Sequence, residues 1–192
     1  DRRGIRDRTG LTANPKGKSM SFTIYDATVP VFVNGLTAMR AWLDKAAAEK
    51  SESDLMQARL APDMNPLPAQ FQLASDSAKN AIGRLSGVDA PSMADTEASF
   101  AELRDRCDRT IAFIQSVDPA IIAASADRDV ILKLPNGTGW RFTGSDYVTR
   151  FALPNFFFHV TAAYAILRAA GVSLGKPDFL QHLGPPSPLD EA

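Results

Sequence analysis

The side chains best suited to chemistry lie in the last long apolar segment, where His159 follows Asn155 by four residues. That spacing places both side chains on one face of a helix. Pro154 lies beside them and lacks an amide proton, so it frees a carbonyl in the preceding turn and can open a small cavity. Buried polar groups need hydrogen-bond partners. Three interpretations stay open: a core pair that satisfies itself and the freed carbonyl, a small-molecule pocket, or a metal site.

For the other reactive, charged or aromatic side chains, a structural role is the better interpretation than a catalytic or binding role. Cys107 lies on an apolar helical stripe, where we expect an inert thiol because a reactive thiolate needs a basic, exposed environment. The run 104–109 alternates in charge and predicts a solvated helix face. The aromatic run 156–158 predicts core packing rather than a stacking platform. Arg59 and Asp63 flank residues 60–62 in the connector just before the second helix, where they form either a local ion pair or part of a pocket rim.

Composition narrows the functional classes. The chain has 192 residues, of which 45% are hydrophobic, enough for one globular domain with a sizeable core. No apolar run reaches the roughly 18 residues of a membrane span, so we expect no membrane partner. Cys107 is the only cysteine, which excludes an intrachain disulfide and an all-cysteine metal site and favours a reducing cytoplasm. The sequence contains no GxGxxG, P-loop, GxSxG or HExxH motif, so no catalytic motif indicates an enzyme.

The two ends of the chain differ from the middle. Residues 1–19 are basic and the rest of the chain is acidic. A basic arm can bind nucleic acid, but this one lacks aromatic residues and is followed by Met20, which resembles a natural start. We therefore expect a flexible leader or an added extension at 1–19 and no nucleic-acid partner. Residues 184–192 are rich in proline and predict a disordered tail, which leaves 20–183 as the folded domain.

Four amphipathic segments with apolar residues spaced by three and four predict four helices. The fourth is apolar nearly all round, so we expect it to be buried on most sides and kinked at Pro154. Between the third and fourth, apolar and polar residues alternate around Asn136-Gly137, which predicts a β-hairpin. The pattern is typical of an all-α four-helix bundle with a small hairpin between the third and fourth helices. The first predicted helix begins between Asp26 and Pro30 and ends near Glu49, and the second runs from Asn65 to Gly87. The third runs from Ser92 or Asp95 to Val117, and the fourth runs from Ser145 to Ala170.

Several segments resemble the bacterial domain-of-unknown-function family 1993. They are YDATVPVF at 25–32, ARLAPDM at 58–64, LPNFFFHV at 153–160, TAAYAILR at 161–168 and GKPDFL at 175–180. The resemblance spans about 25–180. It implies the DinB-like superfamily of four-helix bundles, in which dimers are common and some members are metal- or thiol-cofactor-dependent enzymes.

The resemblance also implies where a metal would bind. The superfamily site uses one histidine on the second helix and two on the fourth, and these positions correspond to Asp76, Asn155 and His159. Only one of these three positions holds a histidine, and asparagine is a weak ligand for transition metals. We therefore expect no competent metal site and no firmly indicated cofactor, although the resemblance leaves a divalent transition metal as an open possibility. The candidate pocket comprises His159, Asn155, Asp76, Tyr164, Arg59 and Asp63.

Two functions follow as hypotheses. The first is a cytoplasmic small-molecule-binding or structural DinB-like protein without a three-histidine site. The alternative is a metal- or thiol-cofactor-dependent transferase or hydrolase that uses the degenerate site on the second and fourth helices. We also expect a two-fold homodimer, because Val31, Ala38 and Trp42 form a second apolar face on the first helix. The other interpretation of that face is that Trp42 covers the connector before the second helix.

Overall fold

The computed structural model describes residues 22–187 and Leu189. The predicted leader at 1–19 lies outside the described residues, as do parts of the predicted tail. Residues 184–187 are exposed and belong to no helix or strand. The elements are α1 (Ile24–Glu49), α2 (Glu52–Gln57), α3 (Leu67–Ser86), α4 (Phe100–Ser116), α5 (Pro119–Ala123), β1 (Val130–Lys133), β2 (Gly139–Phe142), α6 (Gly144–Tyr147), a π-helical turn (Val148–Ala152), α7 (Leu153–Ala169), α8 (Lys176–Phe179) and a 3-10 turn (Gln181–Leu183).

Four long helices, α1, α3, α4 and α7, pack around one core, with α3 against α7 and α4, and α1 against α4 and α7. This confirms the predicted mainly helical bundle. In the part of the chain that the structure describes, no helix combines the length and hydrophobicity needed to cross a membrane. The fully buried large side chains come from every long helix; they include Phe32, Leu36, Met39, Phe71, Ile82, Phe100, Leu103, Phe156 and Leu167.

The fourth predicted helix is less uniformly buried than its sequence indicates. Phe156 is buried, but Phe157 and Phe158 are 37% and 58% exposed. The expectation that all three belong to the core is therefore wrong for two of them. An α-helix turns by 100° per residue, so three consecutive side chains cannot all face one neighbouring surface.

Two helices begin at residues other than those expected. Helix α1 begins at Ile24, because Thr23 and Asp26 form a capping box, and Pro30 therefore lies inside the helix. Helix α4 begins only at Phe100, where the Ser99 side chain accepts a hydrogen bond from the Glu102 amide. The preceding segment is not helical, so Ser92 and Asp95 are not its caps. By contrast, α3 ends as expected, with Gly87 in the left-handed region at φ 82°.

The β-hairpin is confirmed, with β1 and β2 pairing antiparallel and Val130 opposite Phe142. Gly137 adopts φ 85° in the connecting turn, a conformation that favours glycine. Val130 and Leu132 are buried on the inner face of β1. The hairpin therefore packs one face against the bundle, which a two-stranded sheet needs for stability.

A π-helical turn immediately precedes the segment of Pro154, where the sequence predicts a kink. It lies between α6 and α7, and the Leu153 amide donates to the carbonyl of Val148, five residues earlier. Pro154 then lies in the first turn of α7, where its missing amide proton costs little. Short π-helical turns are frequent at functional sites, and this one borders the cavity described below.

The second apolar face of α1 is covered by the chain's own C-terminal segment. The ring of Trp42 lies 5.5 Å from those of Tyr164 and Phe179, and its indole N–H donates to the Asp178 carbonyl at 3.2 Å. Lys45 pairs with the Asp178 carboxylate at 2.6 Å. The interpretation of Trp42 as part of an open apolar surface is therefore corrected, because the ring is buried against its own chain.

Candidate functional site

The side chains of His159 and Asn155 are held by α3 rather than by each other. His159 is buried, and its Nδ1 lies 2.9 Å from Gln70 Oε1. The Asn155 amide nitrogen donates to Ser77 Oγ at 2.6 Å. His159 is thus a buried, hydrogen-bonded group, whereas Asn155 is only half-buried. The expectation that the two side chains bond to each other and to the freed carbonyl is wrong, because α3 packs closely on α7 and supplies their partners.

Asp76 lies on α3, and its carboxylate pairs with two cations rather than with His159. Its Oδ1 lies 2.9 Å from Nη2 of Arg106 on α4 and 3.1 Å from Lys79 Nζ. Arg106 is fully buried and also contacts Glu97 at 2.8 Å and Asp95 at 3.0 Å. The run 104–109 is therefore not simply a solvated face, because one of its arginines is the buried centre of an ion-pair cluster.

Asp76 and Asn155 nevertheless line one cavity, which we call the α3–α7 cavity. Its volume is about 140 Å³. Helix α3 forms one wall and α6, the π-helical turn and the start of α7 form the other, and Leu132 of the hairpin also lines it. His159 is not among the lining residues. These are Leu73, Asp76, Ser77, Asn80, Arg84, Leu132, Tyr147, Phe151, Ala152 and Asn155.

A buried tyrosine and a partly buried arginine give the α3–α7 cavity its polar character. Arg84 Nη1 donates to the Tyr147 hydroxyl at 3.0 Å. Tyr147 is only 1% exposed, and burial raises the pKa of its phenol, although the Arg84 charge and hydrogen bond oppose this. The phenol is therefore protonated at neutral pH. In the described part of the chain, its own O–H has no hydrogen-bond acceptor, so it can donate to a ligand.

The other candidate residues do not join this cavity. Tyr164 lies in the aromatic cluster with Trp42. Arg59 and Asp63, both within the described residues, form no ion pair; Arg59 instead donates to the Met64 carbonyl at 3.4 Å. Cys107 is buried as expected, and burial raises its pKa to about 12, so its thiol is inert at neutral pH.

The residues at the superfamily's metal positions do not fit a metal ion. The carboxylate of Asp76 is neutralised by two cations, the Asn155 amide nitrogen bonds to α3, and the ring of His159 bonds to Gln70. Among the described residues, no three His, Cys, Asp or Glu side chains are grouped to hold a metal. Asparagine and an ion-paired aspartate are weak donors for transition metals, so this arrangement does not supply a ligand set.

The family model for Domain of unknown function (DUF1993) matches residues 24–180. The chain belongs to the DUF1993 family. The match covers every helix described here except the final 3-10 turn. It confirms the resemblance seen in the sequence segments between 25 and 180. No curated protein sequence matches the chain.

The DUF1993 fold has a solved relative of similar architecture. A DinB family member protein from Shewanella denitrificans, known from a crystal structure, aligns with a TM-score of 0.78 and 35% sequence identity. The alignment covers 86% of this chain and 96% of the relative. The DinB-like architecture inferred from the sequence is thus confirmed.

Sequence reasoning missed the residues that define the α3–α7 cavity most clearly, Tyr147 and Arg84. They are 63 positions apart in the sequence, and no motif joins them. The one available signal was indirect. Pro154 cannot donate a backbone hydrogen bond, so it predicts an irregular helical turn nearby. That turn borders the cavity, and Tyr147 immediately precedes it.

We expect His159→Ala to lower the free energy of unfolding by about 1–3 kcal/mol at pH 7.5, because Gln70 loses a buried partner. Burial lowers the pKa of His159. As pH falls below the unfolded-state pKa, the unfolded chain binds a proton that the folded chain resists, so the wild type loses stability. The difference between variant and wild type should therefore shrink at pH 5.5. Urea unfolding at both pH values measures it, and a gap that widens in acid would contradict this account.

Proposed function

We propose that this DUF1993 protein binds a small polar molecule in the α3–α7 cavity and does so without three-histidine metal chemistry. The observation that carries the proposal is the buried hydroxyl of Tyr147, whose proton lacks an acceptor among the described residues. Buried polar groups in folded proteins are normally paired. The Tyr147 oxygen already accepts from Arg84, so it is the phenol proton alone that a ligand in the cavity would accept.

The lining of the α3–α7 cavity supports this proposal. Polar side chains reach it from α3, α6 and α7, while Leu132 and Phe151 supply apolar walls. A few convergent polar groups in an otherwise apolar pocket are characteristic of small-molecule sites. The volume of about 140 Å³ suits a molecular fragment of a few heavy atoms rather than a large cofactor.

We expect at least one small polar compound from a panel of amides, polyols and amino acids to stabilise the protein against thermal unfolding. Ligand at a hundredfold excess over its Kd adds about 2.7 kcal/mol. Tyr147→Phe and Asn155→Leu should remove this stabilisation, because each deletes a polar group that lines the cavity. A thermal-shift titration of each variant measures the effect.

The matched control is Tyr164→Phe, which makes the same chemical change in the aromatic cluster beside Trp42. Its response to the ligand should equal that of the wild type. Failure of every compound to bind would contradict the proposal and favour a structural role. Equal loss in both tyrosine variants would show that the binding site lies elsewhere.

The alternative function is a metal- or thiol-cofactor-dependent transferase or hydrolase that uses Asp76, Asn155 and His159. The hydrogen bonds and ion pairs of these residues speak against it. About one zinc, nickel or iron per chain after gentle purification, lost in His159→Ala, would favour this alternative instead.

The proposal includes a bacterial cytoplasmic location and a two-fold dimer. The single buried cysteine is compatible with a reducing compartment.

For the dimer, Trp42 is covered by its own chain, so the exposed rings of Phe157 and Phe158 on α7 offer a more suitable apolar surface for contact with a second copy. Closed two-fold symmetry is the commonest arrangement of identical chains.

A further inference from the structure

A second, wider groove opens directly beside the α3–α7 cavity. Its volume is about 450 Å³, and the two spaces share Asn80 and Arg84. We call it the Arg84–Arg128 groove. It lies between the C-terminal end of α3, the segment 88–90 and the residues that precede β1; its lining also includes Gly83, Gly87 and Asp129.

Both arginines of this groove lack a carboxylate partner within the part of the chain that the structure describes. Most described arginines have one: Arg40, Arg104, Arg106, Arg109, Arg141 and Arg150 each lie within 4.0 Å of an Asp or Glu oxygen. Arg84 instead bonds to the Tyr147 hydroxyl, and Arg128 donates to the Ser86 carbonyl at 3.2 Å. Each guanidinium carries five N–H groups, so donors remain available on both.

The missing side chain of Gly87 leaves the space that the Arg128 guanidinium occupies. The Arg128 side chain packs directly over Gly87, where an added Cβ would lie 2.5 Å from Arg128 Nη2. Gly87 also ends α3 in the left-handed conformation. One glycine therefore both ends the helix and admits the guanidinium to the groove wall.

Further donors face the same space. Asn80 lines both the groove and the cavity, and its side-chain oxygen accepts from Lys79 Nζ at 3.3 Å, which leaves its amide N–H groups for a ligand. The Tyr147 hydroxyl lies beyond Arg84, inside the cavity. Donors thus continue from the groove into the smaller α3–α7 cavity.

The charge of the groove limits what it can hold. Asp129 also lines it but is paired with Arg141. Asp89 is an exposed carboxylate on the rim. Two arginines and one unpaired carboxylate leave an excess of about one positive charge, which fits a single anionic group and disfavours a polyanion.

We propose that the ligand carries one carboxylate or phosphate group, which Arg84 and Arg128 bind in the groove while the rest of the molecule enters the α3–α7 cavity. This inference rests on the proposed function, since it names the chemical class of that ligand. Arginine suits the role because its planar N–H groups match carboxylate and phosphate oxygens.

The test is calorimetric titration of the full chain with inorganic phosphate and, separately, with acetate, at ionic strength held constant with chloride. We expect saturable binding of at least one anion. Arg84→Gln and Arg128→Gln should each weaken it about tenfold or more, because a hydrogen bond to a charged group is lost. Arg59→Gln is the matched control, since Arg59 also lacks a carboxylate partner among the described residues but lies outside the groove.

The outcomes separate this inference from the proposed function. Neutral compounds that bind while neither anion does would overturn the anionic class and leave the cavity proposal standing. An anion that binds equally well to the wild type and to Arg128→Gln would also overturn it. If both groove variants lose anion binding while Asn155→Leu affects the binding of no ligand, the result would support the groove as an anion site and contradict the cavity proposal.

Discussion

Arg106→Gln is expected to lower the free energy of unfolding by about 3–5 kcal/mol. The guanidinium is fully buried and pairs with Asp76, Asp95 and Glu97, and it also donates to the carbonyls of Ala94 and Gln72. Removing it leaves the carboxylate of Glu97, whose side chain is only 6% exposed, without its cation. Breaking one side of a buried ion pair is among the costliest single changes in a protein.

Urea unfolding of Arg106→Gln measures this loss, and Arg109→Gln supplies the control. Arg109 lies one turn along α4 and pairs with Asp105, but its side chain is 52% exposed. Exposed pairs contribute between zero and about 1 kcal/mol, so the control should be nearly neutral. If both variants lost a similar free energy of unfolding, the buried ion pairs of Arg106 would contribute no more to stability than the exposed pair of Arg109.

The same cluster predicts an acid dependence. Burial alone would raise the pKa of Glu97, but hydrogen bonds from Arg106 and Gln72 outweigh it and hold the pKa below its ordinary value. A lowered folded-state pKa adds stability that is present above the unfolded-state pKa and is lost as pH falls through the folded-state pKa. The Arg106→Gln variant lacks this contribution, so its difference from the wild type should shrink in strong acid.

Trp42→Ala is expected to cost about 3–5 kcal/mol, the range for truncating a buried aromatic side chain. Trp42 is 1% exposed, packs between Tyr164 and Phe179, and donates to the Asp178 carbonyl. Its loss leaves a cavity and releases α8 from α1. Thermal and urea unfolding both measure the change.

The chain's other tryptophan is the control for this variant. Trp140 lies on β2 and is 52% exposed, so Trp140→Ala should change stability by less than about 1 kcal/mol. A folded, fully stable Trp42→Ala protein would show that the C-terminal segment does not depend on this ring. Trp42→Glu should unfold the protein rather than produce a folded monomer, because it buries a charge.

Local signals in the sequence were sufficient for most of the elements. The Gly87 cap, the Asn136-Gly137 turn and the spaced apolar residues of α3 depend on backbone conformations or periodicities that nearby residues dictate. The start of α4 was predicted too early because Asp95 looks like a cap in isolation. In the structure its carboxylate pairs with Arg106, because the segment before α4 folds back along that helix instead of extending it.

The sequence by itself determined the helical bundle with its hairpin, the family, and the importance of Asn155 and His159 as polar residues in an apolar helix. Tertiary structure decided their partners on α3, the burial of Arg106 and Trp42, and the meeting of Tyr147 with Arg84. The physical reason is sequence distance. Periodicity and capping act within one or two turns of a helix, whereas each of these contacts joins elements that become neighbours only when the core forms.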